Sequence, residues 1–398
     1  MDDDILSQGG DREPSPWPRR LAVIAAVIVV VVGAVVYLSQ PRHHNAPAAH
    51  ATATPAPTGL AAPAVPAGPD GIGGPTMAWD PSVRLPNAGA QPVWYSPASG
   101  STEQIDGLPA NQSGYQFTRV IGGWAVQPSP VAPAGCGLCA GRPAPVWFLA
   151  DGGRSVARVG TANLVAPAAS AGAIWLTSYR LGANVTTAAG TTREADPGGA
   201  LTGPVTLPPG YAVDQGTDRG LLLAPVGPQP GATVSWLWDP SSQHISKSFA
   251  QVLAASPTEI AWTSGCDPKC TVQALDLATG RQRVVTLPAG HSPSSGAFSP
   301  DGSLLALQVS FGDTGDGGDL AMQLEVASVT SGQLTAVPGT WVSSDALVSF
   351  GWPAGGDNLV AEFDFTTKEQ LASWHPGAGR PAVTVVRPGS EVSSLILS

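Results

Sequence analysis

Residues 297–307 read AFSPDGSLLAL, and this segment decides the fold class. A short apolar segment enters a turn made of Pro300, Asp301 and Gly302, and a second apolar segment leaves it. Proline presets φ for such a turn, and glycine completes it at little steric cost. The pattern therefore predicts two antiparallel strands joined by a tight turn, the basic unit of an all-β protein.

Looser copies of this unit recur at intervals of roughly 40–55 residues, a period typical of repeat folds. A second, Gly-rich hairpin follows the marked strands, most clearly at residues 272–286 and 324–336. Two hairpins per period predict four strands per repeat. The looser markers are residues 121–126, 170–175, 217–222, 256–262 and 356–361.

Residues 298–306, FSPDGSLLA, resemble the signature turn of TolB-type and WD-repeat-like β-propellers. As architecture the resemblance covers residues 91–398, although the Trp-Asp dipeptide of true WD repeats does not recur at the expected place. The resemblance implies four-stranded blades arranged around an axis. Such domains usually serve as platforms for partners, and some propellers are hydrolases.

Six marked repeats leave a hairpin at residues 93–105 and a strand at residues 391–397 unassigned. Together these two segments would form a composite blade that closes the ring and removes exposed sheet edges. We therefore favour seven blades, with six as the alternative.

An unbroken apolar run at residues 21–38 follows Arg19 and Arg20. As a helix it would span about 27 Å, enough for the core of a bilayer. Basic residues favour the cytoplasmic side, so we predict a cytoplasmic N-terminus and an extracytoplasmic C-terminal domain at the cell membrane. A cleaved signal peptide is less favoured because the run is long and the small-x-small site, residues 49–51, lies well downstream.

The predicted organisation has four parts. A short cytoplasmic tail at residues 1–20 precedes the single-pass transmembrane helix at residues 21–38. A Pro/Ala-rich linker at residues 39–90 cannot bury a core and is predicted to form an extended, disordered stalk. The β-propeller occupies residues 91–398.

The formal net charge of −10 and the presence of only three lysines disfavour a nucleic-acid partner, because a surface that tracks phosphates needs clustered cations. No cofactor is predicted. The partner expected for such a platform is an envelope protein or glycan that the sequence does not identify.

Four cysteines occur as two close pairs, Cys136 with Cys139 and Cys266 with Cys270. In a segment facing an oxidising space, two local disulfides are the favoured interpretation. A four-cysteine zinc site and a redox-active pair at residues 136–139 are the alternatives.

Asp313, Asp316 and Asp319 lie in a Gly-rich loop and are weak candidates for calcium ligands. The loop lacks the spacing of a recognised calcium loop and the distal bidentate glutamate, so a solvated loop is favoured.

The sequence contains no nucleophile elbow, zinc-binding helix or phosphate-binding loop motif. His244, His291 and His375 neighbour loop signals and are expected at the surface. Propeller hydrolases place carboxylates at the ends of inner strands, near the channel. The corresponding candidates here are Asp214, Asp218, Glu259, Asp301 and Asp357. Turn chemistry accounts for Asp301 and Asp357 without catalysis.

Many of the 12 tryptophans fall in strand patterns, and core packing is their expected role. A binding role at one rim of the ring is the alternative. The leading hypothesis is a membrane-anchored, extracytoplasmic, non-catalytic binding or assembly platform. The alternative is a propeller hydrolase, acting on glycosides or lactones through channel carboxylates.

Overall fold

The computed structural model describes the chain from Thr76 onward in separate stretches. These are residues 76–84, 90–96, 101–109, 114–129, 135–227, 234–266, 269–311, 321–340, 342–343, 347–353, 358–365, 368–379, 381–386 and 394–396. Within these stretches the regular secondary structure consists of strands, so the predicted all-β class is confirmed.

Six antiparallel sheets each take four consecutive strands, and we number them blades 1–6. Blade 1 contains β4 (Tyr115–Val120), β5 (Gly123–Pro128), β6 (Ala144–Ala150) and β7 (Ala157–Ala162). Blade 2 contains β8 (Leu164–Pro167), β9 (Ile174–Ser178), β10 (Thr191–Ala195) and β11 (Val205–Thr206). Blade 3 contains β12 (Tyr211–Thr217), β13 (Gly220–Pro225), β14 (Ser235–Asp239) and β15 (His244–Phe249).

The remaining blades follow the same order of strands. Blade 4 contains β16 (Gln251–Ala255), β17 (Glu259–Cys266), β18 (Cys270–Asp276) and β19 (Gln282–Thr286). Blade 5 contains β20 (His291–Phe298), β21 (Leu304–Phe311), β22 (Ala321–Ser328) and β23 (Leu334–Ala336), with β24 (Val342–Ser343) paired to β22. Blade 6 contains β25 (Leu347–Gly351), β26 (Leu359–Phe365), β27 (Lys368–Trp374) and β28 (Ala382–Val386).

A further sheet combines the two ends of the described chain. Its order is β29 (Ser394–Ile396), β1 (Thr76–Arg84), β2 (Ala90–Ser96) and β3 (Ser101–Gln104). The backbone of Met77 pairs with that of Ile396 on one side and with that of Trp94 on the other. We refer to it as the composite sheet.

Strand β1 lies inside the segment that the sequence assigned to the linker, so the predicted boundary at residue 90 is too late. Pro81 and Pro86 carry the Pro-rich composition of the linker past this strand. Backbone pairing with β2 and β29 is a long-range property that local composition does not reveal. The predicted transmembrane helix at residues 21–38 lies outside the described residues.

All six predicted markers coincide with the second strand of a blade, and the hairpins after them form the third and fourth strands. At residues 297–307, the turn joins β20 to β21. Asp301 accepts hydrogen bonds from the hydroxyls of Ser299 and Ser303, and Gly302 adopts a positive φ of 70°. Turn chemistry therefore explains Asp301, as the sequence predicted.

First strands of successive blades approach one another, including β4 with β8, β8 with β12, and β16 with β20. This arrangement places the first strands around a common axis, as in a β-propeller. Apolar side chains fill the space between blades. Leu305 and Leu307 of blade 5, for example, belong to one buried cluster with Val272 and Val285 of blade 4.

Tryptophans contribute to these inter-blade cores, as expected. Trp352 of blade 6 is buried, and its Nε1 donates to the carbonyl of Ala297 in blade 5 at 3.1 Å. The prediction of core packing is also met by the buried Trp94, Trp124, Trp147 and Trp262.

Among the described residues, no helix is long and apolar enough to cross a membrane.

Candidate functional site

Four first strands contain a β-bulge opposite the second strand of their blade. In β12 the register passes from Val213 to Gln215, so Asp214 has no partner on β13. A bulge leaves one residue unpaired and changes the direction of its side chain. Asp214 is the exposed residue of β12, whereas the other six residues of that strand are buried.

Asp214 lines a cavity of about 350 Å³ between the first strands of blades 3, 4 and 5. The wall also includes Gln215 and Gly296, and the apolar residues Val252, Leu253, Ala254 and Ala255 of β16. Because these strands surround the axis, the cavity belongs to the central channel. Asp214 is the single acidic residue among the described residues of this wall.

The Asp214 carboxylate is open to water in the channel, yet protein atoms surround it closely. Burial raises the pKa of Asp214 above the ordinary aspartate value of 3.8. No cationic side chain in the described part of the chain forms an ion pair with it. The carboxylate has therefore lost part of its hydration without gaining a counter-ion.

The rest of the channel wall is polar but holds no second acid among the described residues of the first strands in blades 1–5. Gln116 of β4, Gln251 of β16, and Ser292 and Ser294 of β20 are exposed on these strands. Amides and hydroxyls bind ligands through hydrogen bonds. They do not form the pair of facing carboxylates that glycoside hydrolysis requires.

The structure separates the predicted carboxylates from one another. Asp218 lies in the turn after β12, where its backbone N–H donates to the carbonyl of Pro257. Asp301 lies in the β20–β21 turn. Asp357 falls outside the described residues. Of the four candidates that the structure describes, Asp214 alone lines the channel cavity.

Glu259 begins β17 and is buried against the β20–β21 turn of the next blade. Burial, together with the charges of Asp276 and Asp301, raises the pKa of Glu259 to about 7. Its Oε2 is buried and makes no hydrogen bond to a described residue. Glu259 thus occupies an inter-blade position and is absent from the lining of the channel cavity.

Sequence reasoning missed a buried pair in blade 5. His291 was expected at a loop surface, but it begins β20, is half-buried, and stacks on the ring of Phe311. Its Nδ1 lies 3.1 Å from Oε1 of Glu325, a buried residue of β22. The expectation fails because the strand pairing in blade 5 brings together residues 34 positions apart.

The other two histidines, His244 and His375, are exposed, as predicted. No group of three or more His, Cys, Asp or Glu side chains with metal-binding geometry occurs in the described stretches. The calcium candidates Asp313, Asp316 and Asp319 lie outside them.

Both predicted disulfides are present, joining Cys136 to Cys139 and Cys266 to Cys270. Each lies between the second and third strands of its blade. Because zinc binds thiolates, two cystines exclude the four-cysteine zinc site. A strand, β6, follows Cys139, so the helix expected after a thioredoxin-like motif is absent at that position.

The disulfide loop of blade 1 contacts the corresponding loop of blade 2. The N–H of Ala140 donates to the carbonyl of Ala183 at 2.8 Å, and the N–H of Val185 donates to the carbonyl of Leu138 at 3.0 Å. Loops between second and third strands lie at the same end of every blade. At this end of the domain, disulfides therefore close individual loops, and hydrogen bonds join the loop of blade 1 to that of blade 2.

No protein-family model and no curated protein matches the chain. Solved structures resemble it in fold. The periplasmic gluconolactonase of Pseudomonas aeruginosa has a TM-score of 0.49 and 14% identity, covering 81% of this chain and 98% of the other. TolB from Acinetobacter baumannii has a TM-score of 0.39 and 9% identity, covering 78% of this chain and 64% of the other.

A structure from a study of two prolyl endopeptidases has a TM-score of 0.51 and 12% identity. The match covers 80% of this chain and half of that structure's length. At such identities the likeness concerns the fold alone. With the sheet topology, it identifies an all-β β-propeller.

Proposed function

We propose that this protein displays its β-propeller outside the cell membrane as a non-catalytic binding or assembly platform for an envelope protein or glycan. The apolar run at residues 21–38 would anchor it, and the Pro/Ala-rich tract would form the stalk. The N-terminus would lie in the cytoplasm. Within the propeller class, the TolB-type and WD-repeat-like resemblance at residues 298–306 favours a platform role.

The channel wall is the observation that carries this proposal. An enzyme needs a nucleophile with its base, a bound metal, or two acids facing one cavity. The described wall of the cavity instead has one carboxylate beside small and apolar residues, with hydroxyl and amide side chains on the neighbouring strands. Such a wall is suited to binding.

The two disulfides support the extracytoplasmic location. Disulfides persist in oxidising compartments and are rare in the cytosol, where thiols are kept reduced. Every described cysteine of this chain is oxidised. Together with the Arg19–Arg20 pair before the apolar run, this favours a propeller outside the membrane.

We further propose that the composite sheet is a seventh blade that closes the ring. Blades 1–6 are each built on four consecutive strands, to which blade 5 adds β24, and the composite sheet also has four strands. Pairing β29 with β1 would join the two ends of the domain and remove the open edges that a chain of blades otherwise leaves.

The second candidate is an extracytoplasmic propeller hydrolase acting on glycosides or lactones. One specific observation favours it: burial in the channel cavity raises the pKa of Asp214, which is the kind of change found in catalytic acids. Geometry opposes it, because the described wall of that cavity offers Asp214 no second acid.

The test compares the full-length detergent-solubilised chain with D214N and with D218N, which removes an acid outside the cavity. Each protein is assayed against panels of lactones and glycosides, and each is used to capture purified envelope glycans and proteins. A platform binds a defined component saturably and gives no turnover above the buffer rate. Turnover that D214N abolishes and D218N retains would establish the hydrolase instead.

A further inference from the structure

Asn163, the residue between blades 1 and 2, connects a loop of each blade. Its side chain is buried, with Nδ2 donating to the carbonyl of Gly141 at 3.0 Å and Oδ1 accepting from the N–H of Tyr179 at 2.8 Å. Gly141 lies in the loop after β5, and Tyr179 begins the loop after β9. One buried amide therefore fixes the two loops relative to each other.

The loop of blade 2 then makes a tight turn with Leu181 at its tip. The N–H of Ala183 donates to the carbonyl of Arg180 at 2.9 Å, and Gly182 adopts a positive φ of 75°, which glycine does at little cost. The N–H of Gly182 donates to the carbonyl of Ala140 at 2.9 Å. Leu181 is thus held on a turn that is bonded to the disulfide loop of blade 1.

Leu181 is 58% exposed, the highest value for a large apolar side chain in the described stretches. It joins neither of the described apolar clusters on the two sides of blade 2. Leu138 and Val185, both partly exposed, are neighbours on the same two loops, since the N–H of Val185 donates to the carbonyl of Leu138. Because the loops are fixed, this apolar surface is preorganised for a partner that would cover it.

Two arginines flank this surface. Arg142 directly follows Gly141 and Arg180 directly follows Tyr179, so each is adjacent to a residue bonded to Asn163. Both side chains are exposed, and neither forms an ion pair with an acid in the described part of the chain. The two loops contain no Asp or Glu, although the chain has a formal net charge of −10. The surface is therefore locally cationic on an acidic protein.

A guanidinium group presents a planar fork of donors that matches a carboxylate, and arginine is enriched in protein interfaces. A partner segment with acidic and apolar side chains would complement both the arginines and Leu181. An anionic glycan would also satisfy the arginines, but it has no apolar side chain to cover Leu181. The combination favours a protein partner.

We propose that Arg142, Arg180 and Leu181 form a docking surface for an acidic segment of a protein partner, whose carboxylates pair with the arginines and whose apolar side chain covers Leu181. This inference rests on the proposed platform role of the propeller and names the class of partner.

The experiment uses two fluorescein-labelled peptides, four repeats of Glu-Leu-Gly and the neutral analogue with Gln in place of Glu. Fluorescence anisotropy measures their dissociation constants for the full-length chain in a non-ionic detergent at low ionic strength. We expect the wild type to bind the acidic peptide about tenfold more tightly, because two exposed ion pairs form. In R142Q/R180Q the two peptides should bind equally.

A matched control, R158Q/R193Q, removes two exposed arginines from β7 and β10, strands of the same two blades, and should retain the preference. L181A keeps both charges and should weaken both peptides by about fivefold, because it removes most of the apolar contact. Thermal melting verifies that each variant is folded.

Undetectable binding of the acidic peptide at millimolar concentration would overturn the inference. So would a preference that survives in R142Q/R180Q or is lost equally in R158Q/R193Q, and so would unchanged binding in L181A. If polygalacturonate displaces the labelled peptide at a lower carboxylate concentration than unlabelled peptide does, the surface takes an anionic glycan instead. These outcomes are separable from the failure of the proposed function, because turnover of a lactone or glycoside would refute the platform role whether or not acidic peptides bind.

Discussion

Nδ1 of His291 lies 3.1 Å from Oε1 of Glu325, so the first and third strands of blade 5 are connected through their side chains. Glu325 is buried, and its Oε2 makes no hydrogen bond to a described residue. Burial raises the pKa of Glu325, and the charge and hydrogen bond of His291 oppose that rise. The folded protein is therefore most stable when both His291 and Glu325 are present.

Replacing His291 with alanine should lower the free energy of unfolding by about 2–3 kcal/mol, because it leaves a buried carboxyl without its partner. Urea denaturation measures the change. The double variant H291A/E325Q should recover part of the loss, since a neutral amide costs less to bury. If H291A and wild type have equal stability, the pair contributes nothing.

The stability of the propeller should fall as pH rises through the titration of Glu259. The pKa of this residue is about 7 in the folded chain, above the ordinary value of 4.5, so folding favours its protonated form. The destabilising effect of ionised Glu259 on the folded protein is absent below pH 4.5 and complete above pH 7. E259Q should remove this dependence and stabilise the protein at pH 8 by on the order of 2 kcal/mol. Parallel pH profiles for wild type and E259Q would contradict this result.

Gly220 has a positive φ of 129°, and a Cβ there would overlap the carbonyl oxygen of Trp238. Gly122 also has a positive φ, of 80°, but a Cβ there would meet no atom within 4 Å. G122A should cost about 1 kcal/mol from backbone strain alone, and G220A about 1–2 kcal/mol more. Equal losses in thermal melts would show that the close approach to Trp238 is unimportant.

Removing the Cys266–Cys270 disulfide as C266S/C270S should lower the unfolding free energy by about 1–2 kcal/mol, because the closed loop is short. The propeller should remain folded, since the inter-blade clusters do not depend on this loop. In the absence of reductant, thiol-specific reagents should not modify the wild-type protein. A stoichiometric reaction in the native protein would contradict the oxidised state.

Deleting residues 394–398 should lower stability by about 2–4 kcal/mol and increase self-association, because it removes β29 and exposes the edge of β1. A control that lacks only residues 397–398 keeps all three backbone pairs between β1 and β29. Thermal melting and light scattering measure the two effects. If the longer deletion behaves like the control, the ring does not depend on this closure.

The repeats could be predicted because their signals are local. Pro300, Asp301 and Gly302 specify a turn whatever surrounds them, and an apolar strand follows each marker. The two disulfides could be predicted for the same reason, since each bond spans only a few residues. Strand β1 was missed because its place in the composite sheet depends on a partner at the other end of the chain.

The candidate site was only partly predictable. Asp214 could be named as an inner-strand acid, but nothing in its neighbourhood signals the bulge that exposes it. The neighbouring part of the cavity wall comes from β16, about 40 positions downstream in the next repeat. The His291–Glu325 pair depends on the register of a whole blade, which no local pattern fixes.

The proposed function requires the propeller to lie outside the membrane. The most direct measurement is protease treatment of intact spheroplasts that express the full chain with one tag before Met1 and another after Ser398. We predict loss of the C-terminal tag and retention of the N-terminal tag until the membrane is lysed. A C-terminal tag protected in intact spheroplasts, with cysteines that react with maleimide, would contradict the account.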